Sequence, residues 1–173
     1  MNFGLLVVRV VVGLLVAGHG SQKLFGWFGG GGPTGTAASF ESLGYRPGRR
    51  LAVLAGLSEL VGGLFLTLGL LTPLASAAIM GTMVNAIVAA RLGKGPWAAK
   101  GGWELELMYT AVAAAVAFTG PGSYSLDRAF GWTLAGNHWG VAAAVVGMYA
   151  AFFVLVIRAF GREGIDSGLR QAA

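Results

Sequence analysis

Five apolar stretches divide the chain, at about 3 to 20, 51 to 71, 74 to 91, 104 to 120 and 139 to 158. Each predicts a helix of about 17 to 21 residues, which at about 1.5 Å per residue spans or nearly spans a hydrocarbon layer of roughly 30 Å. Only Thr72 and Pro73 separate the second stretch from the third, so those two form a tight helical hairpin. The first stretch carries Arg9 in its middle and no A-x-A cleavage site after it, which favours a crossing over a signal peptide. The segment "FGWFGGGGPTGTAASFESLGYRPGRR" that follows is too long for a bare turn. Its glycine run, residues 29 to 32, lacks the Lys-Ser/Thr ending of a phosphate loop and reads as a flexible linker. Beyond it, Thr36 is placed to cap a short helix near Ala37 to Leu43 that Gly44 would close, with Phe40 and Leu43 against the membrane surface.

Composition turns this pattern into a fold class. Hydrophobic residues make up 55% of the chain and charged residues 11%, against a charged share of roughly 25% in soluble domains. The expectation is an all-α, polytopic transmembrane helix bundle over residues 1 to 160, followed by a loose polar tail from 161 to 173. The net charge of +5 comes without any interleaved basic and aromatic surface, so it points to an anionic lipid leaflet rather than to nucleic acid. Five crossings place Lys23, Arg46, Arg49, Arg50, Arg91, Lys94, Lys100, Arg158, Arg162 and Arg170 on one side and only Arg128 on the other. By the positive-inside rule the crowded side is cytoplasmic, with the N-terminus outside and the C-terminus inside. Trp27, Trp97, Trp103, Trp132 and Trp139 all fall in loops or at segment ends, as interfacial anchors do. The sequence has no cysteine, which leaves no thiol couple and no thiolate metal site.

Three polar residues lie well inside the apolar stretches: Arg9, Glu59 and Asn85. Small residues flank each on its own helix face, Gly13 near Arg9, Gly56 and Gly63 around Glu59, Gly81 and Ala89 around Asn85, so all three should face into the bundle. Counting from the nearest segment ends puts them about 9 to 15 Å below the cytoplasmic surface, and Arg9 is expected to pair with Glu59 there while Asn85 completes a polar pocket. His19, Gln22 and Lys23 from "HGSQK" and Glu104, Glu106 and Tyr109 from "GGWELELMY" would form its mouth. The plainer alternative is that the buried pair only fixes helix register, that Lys23 is a snorkelling anchor, and that one of the two glutamates caps its helix. His138 has no partner at metal spacing, no metal site is expected, and no nucleophile triad or dinucleotide fingerprint appears.

The stretches "LLVVRVVVGLLVAGHGSQKLFGWFGG", "LAGLSELVGGLFLTLGLLTPLA", "GGWELELMY" and "GPGSYSLDRAFG" resemble the DoxX family of small bacterial membrane proteins, in the expected order, over most of residues 5 to 131. The resemblance implies a four-helix membrane core in the bacterial cell (inner) membrane and an association with redox systems, related subunits serving a thiosulfate:quinone oxidoreductase or complexes that defend against oxidants. It carries over to Arg9, His19, Gly20, Gln22, Lys23, Glu59 and Glu104 as the family's characteristic polar positions. The fifth, C-terminal crossing departs from that pattern. Three functions follow as expectations: a subunit that binds a quinone and works with a soluble or membrane oxidoreductase; a scaffold that recruits a soluble enzyme through its basic loops; and a carrier of protons or small molecules. The bilayer is a partner in all three, and a homo-oligomer is compatible with each.

Overall fold

The computed structural model describes residues 2–171, with side chains described for 2–162. All regular structure among the described residues is helical. α1 (Asn2–Phe25), α3 (Gly48–Leu68), α4 (Thr72–Ala86), α5 (Glu104–Thr119) and α7 (Asn137–Gln171) form an up-and-down bundle. Two lesser helices, α2 (Gly32–Ser42) and α6 (Leu126–Ala129), lie in the connections. Four helical segments, Asn2–Phe25, Gly48–Leu68, Thr72–Lys94 and Asn137–Arg162, are long and apolar enough to cross a membrane. The fifth expected crossing, α5, has 16 residues, about 24 Å of helix, and packs against α4 and α7 as the bundle's short member. We call the end that carries Lys23, Arg50, Arg91 and Arg158 the basic end, and the other the opposite end.

Glycine determines how closely the first two long helices meet. The buried face of α1 runs Arg9, Gly13, Val16, Ala17, Gly20, at spacings of three and four, while Val7, Val11, Leu14 and Leu15 point outward. A Cβ on Gly13 would lie 2.6 Å from the Gly63 carbonyl, one on Gly63 would lie 2.5 Å from the Ala17 amide, and one on Gly20 would strike the backbone of Leu60. The two backbones therefore touch, which is the dense packing that helices in lipid rely on where burial from water offers little. Gly81 and Gly147 do the same for α4 and α7, a Cβ on Gly81 lying 2.9 Å from the Gly147 carbonyl. Between these pairs Val16, Leu66, Ile79, Met80, Ala113, Val116 and Ala143 form the apolar core.

The hairpin at Thr72 and Pro73 forms as expected. Gly69 ends α3 in the left-handed conformation (φ 64) and α4 starts three residues later with Pro73 in its first turn, where a missing amide proton costs nothing. Three local expectations change. α2 starts at Gly32 rather than after Thr36, because Pro33 sits in its first turn and supplies a helical φ from the outset; Gly44 (φ 96) does follow its end. The basic-end turn of α4 is not α-helical: Ile87–Arg91 is a π-helical turn. The segment expected as a loose tail is helical backbone as far as Gln171, and its side chains from residue 163 onward lie outside the described residues.

Candidate functional site

The two cations of α1 point the same way along the helix. In an α-helix every Cα–Cβ bond tilts toward the N-terminus, so Arg9 extends toward the opposite end and Lys23 turns from the basic end into the bundle. Lys23 Nζ meets Glu59 Oε2 at 2.5 Å and also donates to the His19 carbonyl at 3.5 Å. The Glu59 side chain is 5% exposed, that of Lys23 25%. Arg9, fully buried, donates from Nη2 to the Tyr124 carbonyl at 2.5 Å. The expected Arg9–Glu59 pair therefore does not exist. Gly20 faces Leu60 and Ala17 faces Gly63, so Glu59 stands level with Ser21, about twelve residues and roughly 18 Å from Arg9 along α1.

Glu59 belongs to a cavity of about 470 Å³ at the basic end, enclosed by α1, α2, α3, α4, α5 and α7. His19, Lys23, Asn85, Glu106 and Tyr109 line it as well, while Leu51, Leu54, Ala55, Met83, Ala86 and Val154 give it a largely apolar wall. The His19 and Tyr109 rings meet edge to face, 5.9 Å between centroids. Glu106 accepts from Arg91 Nε at 3.1 Å through Oε1, and its Oε2 is buried without a partner. Asn85 donates to the Ala151 carbonyl at 3.2 Å and accepts the Tyr45 hydroxyl. Of the nine expected residues, six thus share the cavity, and Arg9, Gln22 and Glu104 do not. Gln22 spans His19 Nδ1 (3.0 Å) and the Phe28 carbonyl (3.2 Å) behind the wall. Glu104 accepts from the Ala98 amide at 2.9 Å, which ties down the α4–α5 connection instead of a ligand site.

Tyr45, Ser58, Thr82 and Arg91 also line the cavity and were not anticipated in that role. Arg91 looked only like a marker of membrane sidedness, and nothing in the pattern around Tyr45 shows that its loop folds inward. Phe40 of α2 and Leu43 just after it form part of the cavity wall, with Phe40 packed on Tyr45 at 5.1 Å between ring centroids. α2 thus closes the mouth of the cavity. Arg158 fastens it there, donating from Nε to the Leu43 carbonyl (2.8 Å) and from Nη2 to the Ala89 carbonyl (3.2 Å) at the π-helical turn, with its guanidinium 5.9 Å from the Tyr45 ring. Burial pushes the Tyr45 phenol above its ordinary pKa, against the pull of the Arg158 charge.

At the opposite end the apolar composition conceals a second polar knot. Asp127, fully buried, accepts from the Leu71 amide (2.7 Å), the Thr72 amide (3.0 Å) and the Thr72 hydroxyl (2.6 Å), so a residue distant in sequence caps the start of α4. Its own amide donates to the Gly69 carbonyl at 2.9 Å. The Arg9 guanidinium lies against the Cα of Gly69, where any side chain would collide with it. This knot joins α1, the α3–α4 hairpin and the connection through α6. Among the described residues no group of His, Cys, Asp and Glu has metal-binding geometry.

The DoxX family model matches residues 4–92, from α1 through the π-helical turn. That span holds Arg9, His19, Gln22, Lys23, Glu59 and Asn85, and it ends before Glu106, Tyr109 and Asp127. No curated protein matches the chain, and no solved structure does.

Proposed function

The chain belongs to the DoxX family of membrane proteins, and from that membership we propose that it is the integral membrane subunit of a redox system, binding a quinone or a similar lipid-soluble molecule in the basic-end cavity. The observation that carries this reading is the cavity itself. Its volume of about 470 Å³ falls within the roughly 300 to 1,000 Å³ common for small-molecule sites, and a mostly apolar wall with a few converging polar groups is the usual character of such sites. A quinone-type ring would lie against Leu54, Ala86 and Val154, with an oxygen toward the Tyr109 hydroxyl. The basic end faces the cytoplasm in this reading, so that Arg49, Arg50, Lys94 and Lys100, all exposed, are offered to an anionic leaflet and to a soluble oxidoreductase. Electrons would pass to or from the ring through that partner.

Purification in mild detergent, followed by organic extraction and mass spectrometry, tests the proposal. The unmodified protein should retain an isoprenoid quinone, and Ala55→Phe, which fills the cavity, should lose it while remaining monodisperse. Recovery of quinone-free protein with an oxidoreductase still attached would replace this reading with that of a scaffold. Uptake of a solute by proteoliposomes containing this chain alone would replace it with that of a carrier.

A further inference from the structure

The cavity meets the outside of the bundle at two levels. Ser39 and Leu105, both exposed, mark its rim at the basic end. There α2 lies across it, strapped by the Arg158 bonds to the Leu43 and Ala89 carbonyls. Leu54 and Ala150 are exposed wall residues as well, but they stand inside the long apolar spans of α3 and α7. Leu54, 53% exposed, heads the outward row Leu57, Val61, Leu64 and Leu68 on α3, so one side chain borders both the cavity and the hydrocarbon.

This lateral opening follows from what α4 presents between its neighbours. α3 and α7 each pack closely on α4, at Gly62 against Ala78 and at Gly147 against Gly81, and hardly touch one another. The face of α4 left between them carries Ala78, Thr82, Ala86 and Ala89, short side chains three or four residues apart. Thr82 turns its hydroxyl back onto the Ala78 carbonyl, so this floor presents hydrocarbon, recessed below the Leu54 and Val154 walls. Counted from Arg50, Arg158 and Arg91, residues Leu54, Ala150 and Ala78 lie about 6, 12 and 20 Å below the basic end, within reach of the acyl chains of a bilayer.

Taking the quinone-type site above as given, we propose that the ligand enters sideways from the bilayer between α3 and α7, and that its tail lies in the groove on α4 with its end among the lipid chains. The head rests near Ala86 and Tyr109, and the tail runs past Thr82 and Ala78 toward the opposite end. This narrows the ligand class to a head group on a flexible hydrocarbon tail, and sets aside a water-soluble ring compound that would arrive through the basic-end rim.

The test is photolabelling of the full chain in nanodiscs with a benzoquinone whose decyl tail ends in a diazirine, the adducts being mapped by mass spectrometry with and without excess unlabelled decyl-benzoquinone. Adducts that the competitor displaces should fall on residues 74–82 of α4 and 146–150 of α7. Displaceable adducts on α2 or around Leu105 instead, or none in a protein that still retains quinone on extraction, would overturn the lateral path and leave the quinone site standing. No displaceable adduct together with no retained quinone would overturn both. Association rates give a second reading: Ala150→Phe, which narrows the opening, should slow binding of the decyl-benzoquinone severalfold, and Arg158→Gln, which loosens α2, should leave the rate unchanged. The reverse pattern would show entry by the basic end and overturn the proposal. The labelling uses the unmodified protein, so it decides the matter even where a variant fails to fold.

Discussion

Lys23 and Glu59 join α1 to α3 by a single ion pair of 2.5 Å, in which the Glu59 side chain is almost sealed and the Lys23 side chain keeps a quarter of its surface open. A buried pair of this kind is costly to break from one side, because the partner left behind is an uncompensated charge. We expect Lys23→Met and Glu59→Leu each to destabilise the bundle by about 3 kcal/mol or more. The double variant should regain most of that loss, since no charge is then stranded. Thermal melting in detergent of all four proteins gives the coupling directly, and strictly additive losses would show that the pair is not coupled.

The opposite-end knot makes Gly69 intolerant of substitution. Gly69→Ala places an ordinary residue at φ 64, which costs roughly 1 to 2 kcal/mol, and it drives a methyl group into the Arg9 guanidinium. Asp127→Ala strips the cap from Leu71 and Thr72, for a further loss of about 1 to 3 kcal/mol. Both should lower the melting temperature, and proteolysis should find the 120–136 connection exposed in Asp127→Ala before the rest of the chain.

Backbone contact between α1 and α3 predicts a sharp contrast among glycines on one helix. Gly20→Ala forces apart two helices that touch at Leu60, whereas Gly4→Ala meets nothing within 4 Å. The first should reduce the yield of monodisperse protein severalfold; the second should leave it unchanged. Equal behaviour of the two would mean that α1 does not pack on α3 in this register.

Alkaline pH should loosen the cover of the cavity. The folded Tyr45 phenol holds its proton more tightly than an exposed one, whose pKa is about 10. Its contribution is therefore complete below that value and is lost as pH rises through the higher folded one. Tyrosinate absorbance should show a late phase that Tyr45→Phe removes, accompanied by easier proteolysis around α2 in the unmodified protein at high pH.

The sequence revealed the crossings and their small-residue faces well, because both arise from local pattern: Gly13, Gly63 and Gly81 mark real helix contacts. It also named six of the cavity's polar residues, since buried polarity in an apolar run has few places to go. It misled on pairing. Depth counted along the chain ignores which way a side chain leans, and α1 and α3 run in opposite directions. Glu59 leans toward the start of α3, which is the basic end and the level of Lys23, while Arg9 leans away from it toward the opposite end. Asp127 was invisible for a different reason: its role depends on a fold-level meeting with Leu71 and Thr72 that no short-range spacing encodes.

The π-helical turn at Ile87–Arg91 also sets a rotational phase. Each residue of an α-helix advances the side chains by about 100°, so the surplus residue in the widened turn decides where Arg91 points relative to everything before it on α4. Rewinding this turn as regular α-helix with all its residues kept would swing the guanidinium away from Glu106. The acid beneath would then face the cavity with both oxygens unclaimed, and the site's affinities would be reset by a change in helical winding that alters no ligand-facing chemistry.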